Sequence, residues 1–422
     1  MTTSNSSHPA AAEVPNRGWT VTLAGTGINL ALGVLYTWSV ISKGVPADWN
    51  WSETDKSLPY SFACLVFCLI MVPAGRMQDK MSPRLVATIG GVLVGLGMIA
   101  ASQTSSPLGY ILGFGVLAGA GIGFGYASAT PPAVKWFPAA KTGTIAGIVV
   151  SGFGLASVYA APLAKWVIGK YGLPAMVMGF GIGFLIIVVG LAQLLAPPPK
   201  GYVPAGSPAP AATGGPAQRT DFSPGEMLAS WQFYALWFMY ACGAGAGLMI
   251  IGKLAKIAQD QAGLTLGFVL VAVLAVGNGA GRIVAGMLSD KIGRQTTLFL
   301  CFVVQAISIL LLSVTKEGGI LANPVVLAVL SALIGANYGA NLAIFPSITK
   351  DYYGLKNFGV NYGLVFTAWG LGGFMLALLA GKVYDKTQAF TFAYYCSAGL
   401  LVAAALVTFL VKAPQRPEES VA

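Results

Sequence analysis

Arg282 is the residue best placed to do chemistry, because it is the only charge in the apolar stretch 264–289. It lies eight residues before Asp290, or about 12 Å along a helix that rises about 1.5 Å per residue. A charge at that depth in a membrane costs about 2.5–3.5 kcal/mol, and such residues usually face a bundle interior or a wet cavity and serve a function. Arginine stays protonated in proteins, so we expect Arg282 to receive an anion. Asn278, on the same helix face, can orient the guanidinium or bond a ligand hydroxyl.

The composition around this arginine is that of a membrane protein. The 422 residues are 56% hydrophobic and 9% charged, with a mean hydropathy of +0.73, whereas a soluble domain has about 25% charged residues. We therefore expect an all-α polytopic membrane protein. Apolar runs near the length that spans a bilayer, about 20 residues, fall at 19–41, 58–78, 85–103, 108–130, 142–165, 173–195, 231–252, 264–289, 295–314, 323–348, 358–381 and 389–412.

These twelve runs divide into two halves of six. A Pro-, Gly- and Ala-rich stretch separates the halves, which predicts a central cytosolic linker. Within it, Ser223, Pro224 and Glu226 have the spacing of a helix N-cap, first helical residue and capping box, so a short interfacial helix is expected there. The predicted domains are a disordered cytosolic tail (1–16), an N-terminal six-helix bundle (17–195), the linker (196–230), a C-terminal six-helix bundle (231–412) and a cytosolic tail (413–422).

A repeated loop motif supports the division into halves. GRMQDKMSPR (75–84) follows the second run, and GMLSDKIGRQ (286–295) follows the eighth. Two parallel six-helix repeats are typical of transporters whose site lies between the halves. The motif residues lie at helix ends beside basic residues, so we expect them to serve gating and loop structure. They are Gly75, Asp79, Lys80 and Arg84 in the first copy and Gly286, Asp290, Lys291 and Arg294 in the second.

Charge and residue usage exclude several other classes of protein. Fourteen Lys and Arg residues lie between the runs or in the tails on the side of the two termini, and nine lie on the opposite side, which favours cytosolic termini. Topology thus explains the net charge of +10 without nucleic acid. The five cysteines lie in apolar runs without metal-ligand spacing, and the only histidine, His8, lies in the polar N-terminal segment. We expect no metal, no cofactor and no enzyme.

The two loops resemble the signature loop of the major facilitator superfamily, G-x-x-x-D-[RK]-x-G-[RK]. The first copy departs from that pattern at Ser82 and Pro83. Taken together, four stretches resemble the oxalate/formate antiporter and monocarboxylate transporter branch, in the manner of a bacterial lactate transporter homologue. They are RGWTVTLAG (17–25), WFPAAKTGTIAG (136–147), DFSPGEMLASWQFYALW (221–237) and NGAGRIVAGMLSDKIGR (278–294).

The resemblance implies the major facilitator fold and a carrier for small carboxylates in which Arg282 grips the carboxylate. Oxalate carriers of this branch have a lysine in span eleven, where this chain has Trp369. A dianion would keep one charge unpaired at a single buried cation, so a monocarboxylate similar to lactate or pyruvate is favoured. Animal monocarboxylate carriers have an aspartate where this chain has Asn278, and their first-span lysine has no counterpart here.

Four more site residues are expected in helices that, by this resemblance, line the cavity. Tyr126 and Tyr338 lie at comparable depth, where phenols can bond the second carboxylate oxygen or a 2-oxo or 2-hydroxy group. Leu35 and Phe366 are expected to form an apolar wall for a short alkyl chain. The alternative for these four and for Asn278 is a role in helix packing alone, and the alternative for Arg282 is a structural tie to helix-end carbonyls.

The expected mechanism is alternating access of a small monocarboxylate between the halves. No carboxylate or histidine falls in the middle of a run, so either the proton travels with the substrate at Arg282 or one anion exchanges for another. Proton-coupled symport is favoured, while an oxalate/formate-type anion exchanger and a non-transporting carboxylate sensor stay open. The expected partners are the substrate, protons and the lipid bilayer. The expected state is a monomer in the plasma (inner) membrane of a prokaryote, with both termini in the cytosol.

Overall fold

The computed structural model describes residues 16–138, 141–199, 202, 204, 221–354 and 357–414. Its long helices are α1 (Gly18–Lys43), α2 (Glu53–Lys80), α3 (Pro83–Ser102), α4 (Pro107–Val134), α5 (Thr142–Tyr171), α6 (Leu173–Ala192), α7 (Trp231–Ala262), α8 (Gly267–Ile292), α9 (Arg294–Ser313), α10 (Pro324–Tyr353), α11 (Phe358–Thr387) and α12 (Thr391–Val407). Eleven are long and apolar enough to cross a membrane, and α12 is a shorter apolar helix of 17 residues. The described residues form no strand, and the expected all-α architecture of twelve helices is confirmed.

Side-chain caps set where several of these helices begin. At α2, the Ser52 hydroxyl accepts a hydrogen bond from the Asp55 amide while the Asp55 carboxylate accepts one from the Ser52 amide, which satisfies two otherwise unpaired donors. Ser223 and Glu226 cap a short linker helix, Pro224–Ala229, in the same way, at the place where the sequence suggested one. Most of the linker (200, 201, 203 and 205–220) and of the two tails (1–15 and 415–422) lies outside the described residues.

Helix α7 is longer than its apolar run predicts. The run ends before Lys253, yet the helix continues to Ala262 and buries Lys253 to 4% exposure. The expectation that Lys253 and Lys256 lie between helices is therefore wrong. An apolar run defined by hydropathy ends at the first charged residue. A helix can continue past that residue when the charge is paired, and Lys253 pairs with Glu53 at 2.9 Å.

Close helix contacts hold the site helix α8 in place. Within the second half α8 packs along α10, and across the seam between the halves α2 packs on α11 and α5 on α8. A Cβ on Gly335 of α10 would overlap the carbonyl oxygen of Leu274, and one on Gly339 would overlap that of Asn278. Neither position tolerates a side chain, so α10 fixes the α8 backbone one turn before Arg282.

Candidate functional site

Arg282 lies in the middle of α8, buried to 7% exposure, at the seam between the two halves. Its Nε donates a hydrogen bond to Asn278 Oδ1 at 3.2 Å. Its Nη1 donates to the carbonyl oxygen of Val150 on α5 at 2.9 Å. The predicted pairing of Asn278 with the guanidinium is therefore present, and the arginine also links the second half of the chain to the first.

Two buried donors of this pair lack a hydrogen bond of ordinary geometry within the part of the chain that the structure describes. Among the described residues, neither Arg282 Nη2 nor Asn278 Nδ2 has a hydrogen-bond acceptor, although both atoms are buried. Buried polar atoms are nearly always paired, and each exception calls for an explanation. Guanidinium and amide N–H groups are donors that a carboxylate can accept from.

Gly154 of α5 leaves space in front of these donors. A Cβ at this position would lie 3.5 Å from Arg282 Nη2 and 3.5 Å from the Asn278 side-chain amide. That distance is an ordinary van der Waals contact, and any larger side chain would extend from Gly154 toward Arg282 Nη2. At Gly154, α5 therefore presents only backbone to this buried nitrogen.

Aromatic rings surround the remaining sides of the site. Phe153 packs edge-to-face on Tyr126 at 5.3 Å between centroids, and the Tyr126 hydroxyl lies within electrostatic and hydrogen-bonding reach of the Arg282 guanidinium. Phe366 stacks on Trp369 at 5.1 Å and lies 6.3 Å from Tyr126. The structure therefore brings the rings of Tyr126 and Phe366 together near the arginine.

A buried hydroxyl pair joins the two halves near the same site. The Tyr36 hydroxyl of α1 lies 2.6 Å from the Tyr338 hydroxyl of α10, and Trp369 Nε1 donates to Tyr338 at 2.7 Å. Tyr36 packs on Phe153 at 4.9 Å between centroids. Sequence reasoning named Tyr338 but missed Tyr36, for which a hydroxyl inside an apolar run was the only signal. Leu35, next to it, is fully buried in a 3-10 turn, Gly33–Thr37, that interrupts α1.

The two copies of the loop motif differ in structure. In the second copy, Arg294 bonds Asp290 at 2.6 Å and Asp351 of α10 at 3.3 Å. In the first copy, Arg84 instead donates to the carbonyl oxygen of Leu195 at 2.8 Å. The side chain of Asp79 lies outside the described residues. The remaining motif residues are Lys80 and Lys291, which are exposed, and Gly75 and Gly286, where a Cβ would meet nothing within 4 Å.

A second cluster of buried charged side chains joins the start of α2 to the last turns of α7, at the opposite end of α2 from the first loop motif. The Glu53 carboxylate, 9% exposed, lies 2.9 Å from Lys253, 3.0 Å from Lys56 and 3.6 Å from Lys256. Sequence reasoning missed this cluster because the residues are about 200 positions apart. The described residues contain no group of three or more His, Cys, Asp or Glu that could hold a metal ion.

The chain is similar in sequence and in fold to known membrane transporters. The family model described as Major Facilitator Superfamily matches residues 20–274 and 248–422. The oxalate:formate antiporter of Oxalobacter formigenes is 28% identical over 95% of this chain and 93% of its own length. Monocarboxylate transporter 11 of Mus musculus is 25% identical over 37% of this chain and 35% of its own. A bacterial homolog of the human lysosomal transporter Spinster, solved inward-facing and unoccupied, superposes with a TM-score of 0.67 at 16% identity, covering 94% of this chain and 97% of that one, which shows a shared fold.

Proposed function

Because the chain belongs to the Major Facilitator Superfamily and is a multi-pass membrane transporter, we propose that it carries small monocarboxylates of the lactate and pyruvate type. In this proposal Arg282 pairs with the carboxylate, Asn278 and Tyr126 bond its oxygens, and Leu35 and Phe366 contact the alkyl chain. The protein acts as a monomer in the inner membrane of a prokaryote, with both termini in the cytosol.

The unpaired donors on Arg282 and Asn278 carry this proposal. A carboxylate placed there would complete both hydrogen-bonding groups and neutralise the one buried guanidinium. The position where a second cation is expected in oxalate carriers is filled by Trp369, whose ring stacks on Phe366 and whose N–H is bonded to Tyr338. A dicarboxylate would keep one charge unpaired in this apolar site, which is costly.

Transport follows from the position of Arg282 at the seam. The substrate loses its water, bonds the free face of the guanidinium, and the halves rock about it to open the opposite side. No Asp, Glu or His falls in the middle of any of the twelve helices, so no separate proton carrier of that type is available beside Arg282. We therefore favour symport in which the proton travels with the substrate pair at Arg282.

Substitution of Tyr36 by Phe tests whether the Tyr36–Tyr338 hydroxyl pair forms a hydrogen bond with the 2-hydroxy or 2-oxo group of the substrate. Removing one hydroxyl should lower uptake of lactate about five- to tenfold, the effect of one lost hydrogen bond, and leave propionate nearly unchanged. Tyr159→Phe is the control, because its hydroxyl bonds the Leu30 carbonyl on the half-exposed outside of the bundle. The measurement is the initial uptake rate of lactate divided by that of propionate, in the variant and in the wild type. If the uptake of both acids falls equally, the hydroxyl pair does not bind the 2-hydroxy group.

The oxalate:formate relative supports one alternative, an anion exchanger. An exchanger needs an anion preloaded on the opposite side, whereas a symporter takes up lactate into empty vesicles when protons flow inward. A non-transporting carboxylate sensor would bind lactate in an Arg282-dependent manner without any flux. Uptake of labelled lactate into empty vesicles and into vesicles preloaded with an anion therefore distinguishes all three: a symporter fills both, an exchanger fills only the preloaded vesicles, and a sensor fills neither. Competition by pyruvate but not by oxalate would support the monocarboxylate class.

A further inference from the structure

The outer end of the seam, at the Glu53 cluster, holds a carboxylate between two lysines of the other half. We propose that Lys253 and Lys256 form a second carboxylate-binding site at the outer entrance, which Glu53 occupies while that entrance is closed. The proposal rests on the proposed function, since the carboxylate it admits is the transported one. It adds an entry site that is separate from Arg282.

Glu53 shows which ligand this site accepts. Its Oε2 lies 2.9 Å from Lys253 Nζ, and its Oε1 lies 3.6 Å from Lys256 Nζ, so one carboxylate spans both ammonium groups. The Lys253 side chain is 5% exposed, which makes it a buried cation rather than a surface lysine. A carboxylate at the end of a small acid has the same two-oxygen geometry as the carboxylate of Glu53.

The residues of the cluster belong to different halves. Lys253, Lys256 and Asp260 lie on α7, whereas Glu53 and Lys56 lie on α2. When the outer side opens, Glu53 and Lys56 move away together because they share a helix. Lys256 keeps Asp260, which it contacts at 3.1 Å.

Lys253 is then left without the carboxylate that neutralises it in the closed arrangement. An unpaired cation in a poorly hydrated position is costly, so it attracts an incoming anion.

Helix α11 also helps to hold the outer entrance closed. Asp385 of α11 accepts hydrogen bonds from the amides of Glu53 and Thr54 at 2.7 and 2.8 Å, which anchors the first turn of α2 to the second half. The Lys256 ammonium also lies 4.4 Å from the centre of the Tyr384 ring. The groups that face Glu53 are thus Lys56 on its own helix, Lys253, Lys256 and Asp260 on α7, and Asp385 on α11.

The approach to this site is also basic. A cavity of about 80 Å³ opens between the halves beside α7, lined by Lys43 of α1, Lys165 of α5 and Ala255 of α7. Ala255 is next to Lys256 in the sequence, and the Lys43 ammonium lies close enough to that of Lys256 to interact with it electrostatically. No ion pair is recorded for Lys43 or Lys165 among the described residues, so their charge is available to attract anions toward it.

Glu53 acts in this scheme as a tethered competitor. A carboxylate held on the same protein has an effective concentration of about millimolar or more, and it lowers the apparent affinity for an outside ligand by the fraction of sites it fills. When the substrate passes on to Arg282, Glu53 can return to Lys253 and close the entrance behind it.

The test separates this role from that of an ion pair that only holds the entrance closed, by using a background in which the charge of Glu53 is already removed. Glu53→Gln removes the competing charge and keeps the shape of the side chain. Lys253→Met is then added to Glu53→Gln, and the external KM for lactate is measured in right-side-out vesicles. We expect Glu53→Gln to lower the external KM about threefold and the added Lys253→Met to raise it about fivefold or more. Lys56→Met in the same background is the control and should change KM less than about twofold.

An ion pair that only holds the entrance closed gives a different result. In the Glu53→Gln background the charge pair is gone, and losing the remaining bond from Lys253 Nζ to the Glu53 carbonyl oxygen, at 3.2 Å, would favour opening and not raise KM. If Lys253→Met in this background leaves the external KM unchanged or lowers it, the outer site does not exist. Thermal unfolding of the purified variants checks their folding, and Lys256→Met in the same background, expected to raise KM in the same direction, replaces any variant that unfolds. If the wild type carries no monocarboxylate at all, the proposed function fails instead, and that result is distinct.

Discussion

Replacing Arg282 by Gln should reduce lactate uptake at least about 100-fold. Truncating one partner of a buried, hydrogen-bonded charge pair costs about 2–5 kcal/mol, and about 2.7 kcal/mol corresponds to a factor of 100. The shorter Gln places its amide nitrogen near the position of Nε, where it can still donate to Asn278 Oδ1, while the charge and the bond to the Val150 carbonyl are lost. Arg282→Lys should recover only part of the flux, since an ammonium lacks the planar fork of a guanidinium.

The measurement is the initial rate of labelled lactate uptake, normalised to the amount of folded protein. Lys291→Gln is the matched control, because it removes an exposed cation from the same helix. If Arg282→Gln transports at more than about half the wild-type rate, a loss far below the expected 2–5 kcal/mol, Arg282 serves only to tie α8 to α5 and the site assignment fails.

Gly154→Leu should abolish transport almost as completely, although it removes no polar group. Its side chain would extend beyond a Cβ that already lies 3.5 Å from Arg282 Nη2, into the space that the carboxylate needs. Overpacking a tight position typically costs about 1–3 kcal/mol in stability, so thermal unfolding must accompany the uptake assay. Gly154→Ala, which stops at ordinary contact distance, should retain most of the activity.

A second glycine on the same helix gives the control for this experiment. A Cβ on Gly147 of α5 would meet nothing within 4 Å, so Gly147→Leu changes the helix to the same extent without entering the site. We expect it to transport as the wild type does. If Gly154→Leu also keeps its flux, the space beside Arg282 is not where the substrate binds.

The local features of this chain could be predicted from its sequence. Twelve apolar runs predicted twelve helices, and the spacing of Asn278 and Arg282 predicted the hydrogen bond between them. The resemblance to the superfamily, stated from loop motifs alone, is confirmed by the family match over nearly the whole chain. Each of these inferences needs only residues that are close in sequence.

Contacts between distant helices could not be predicted in this way. The Tyr36–Tyr338 hydroxyl pair and the Glu53–Lys253 ion pair join residues 302 and 200 positions apart. Hydropathy also ended the seventh run at Lys253, because it scores a charge without knowing whether a partner lies across the seam. The roles of these residues therefore emerged only from the packed helices.

The departure of the first loop copy has a backbone explanation. Gly293 of the second copy has φ +89°, a left-handed conformation that favours glycine. Ser82 takes its place in the first copy with φ −70° and ψ 135°, and Pro83 begins α3. An extended residue followed by a proline at the first helical position is compatible with any side chain before it, so this loop needs no glycine.

Proton-coupled movement of monocarboxylates through a site built on Arg282 is tested most directly by uptake of labelled L-lactate. The purified protein is placed in vesicles that contain no anion, with the outside made acidic relative to the inside. We expect accumulation that follows the inward proton gradient, falls when pyruvate is added and is unaffected by oxalate. Uptake that appears only after preloading with an anion, or that oxalate suppresses, would contradict it and identify an exchanger.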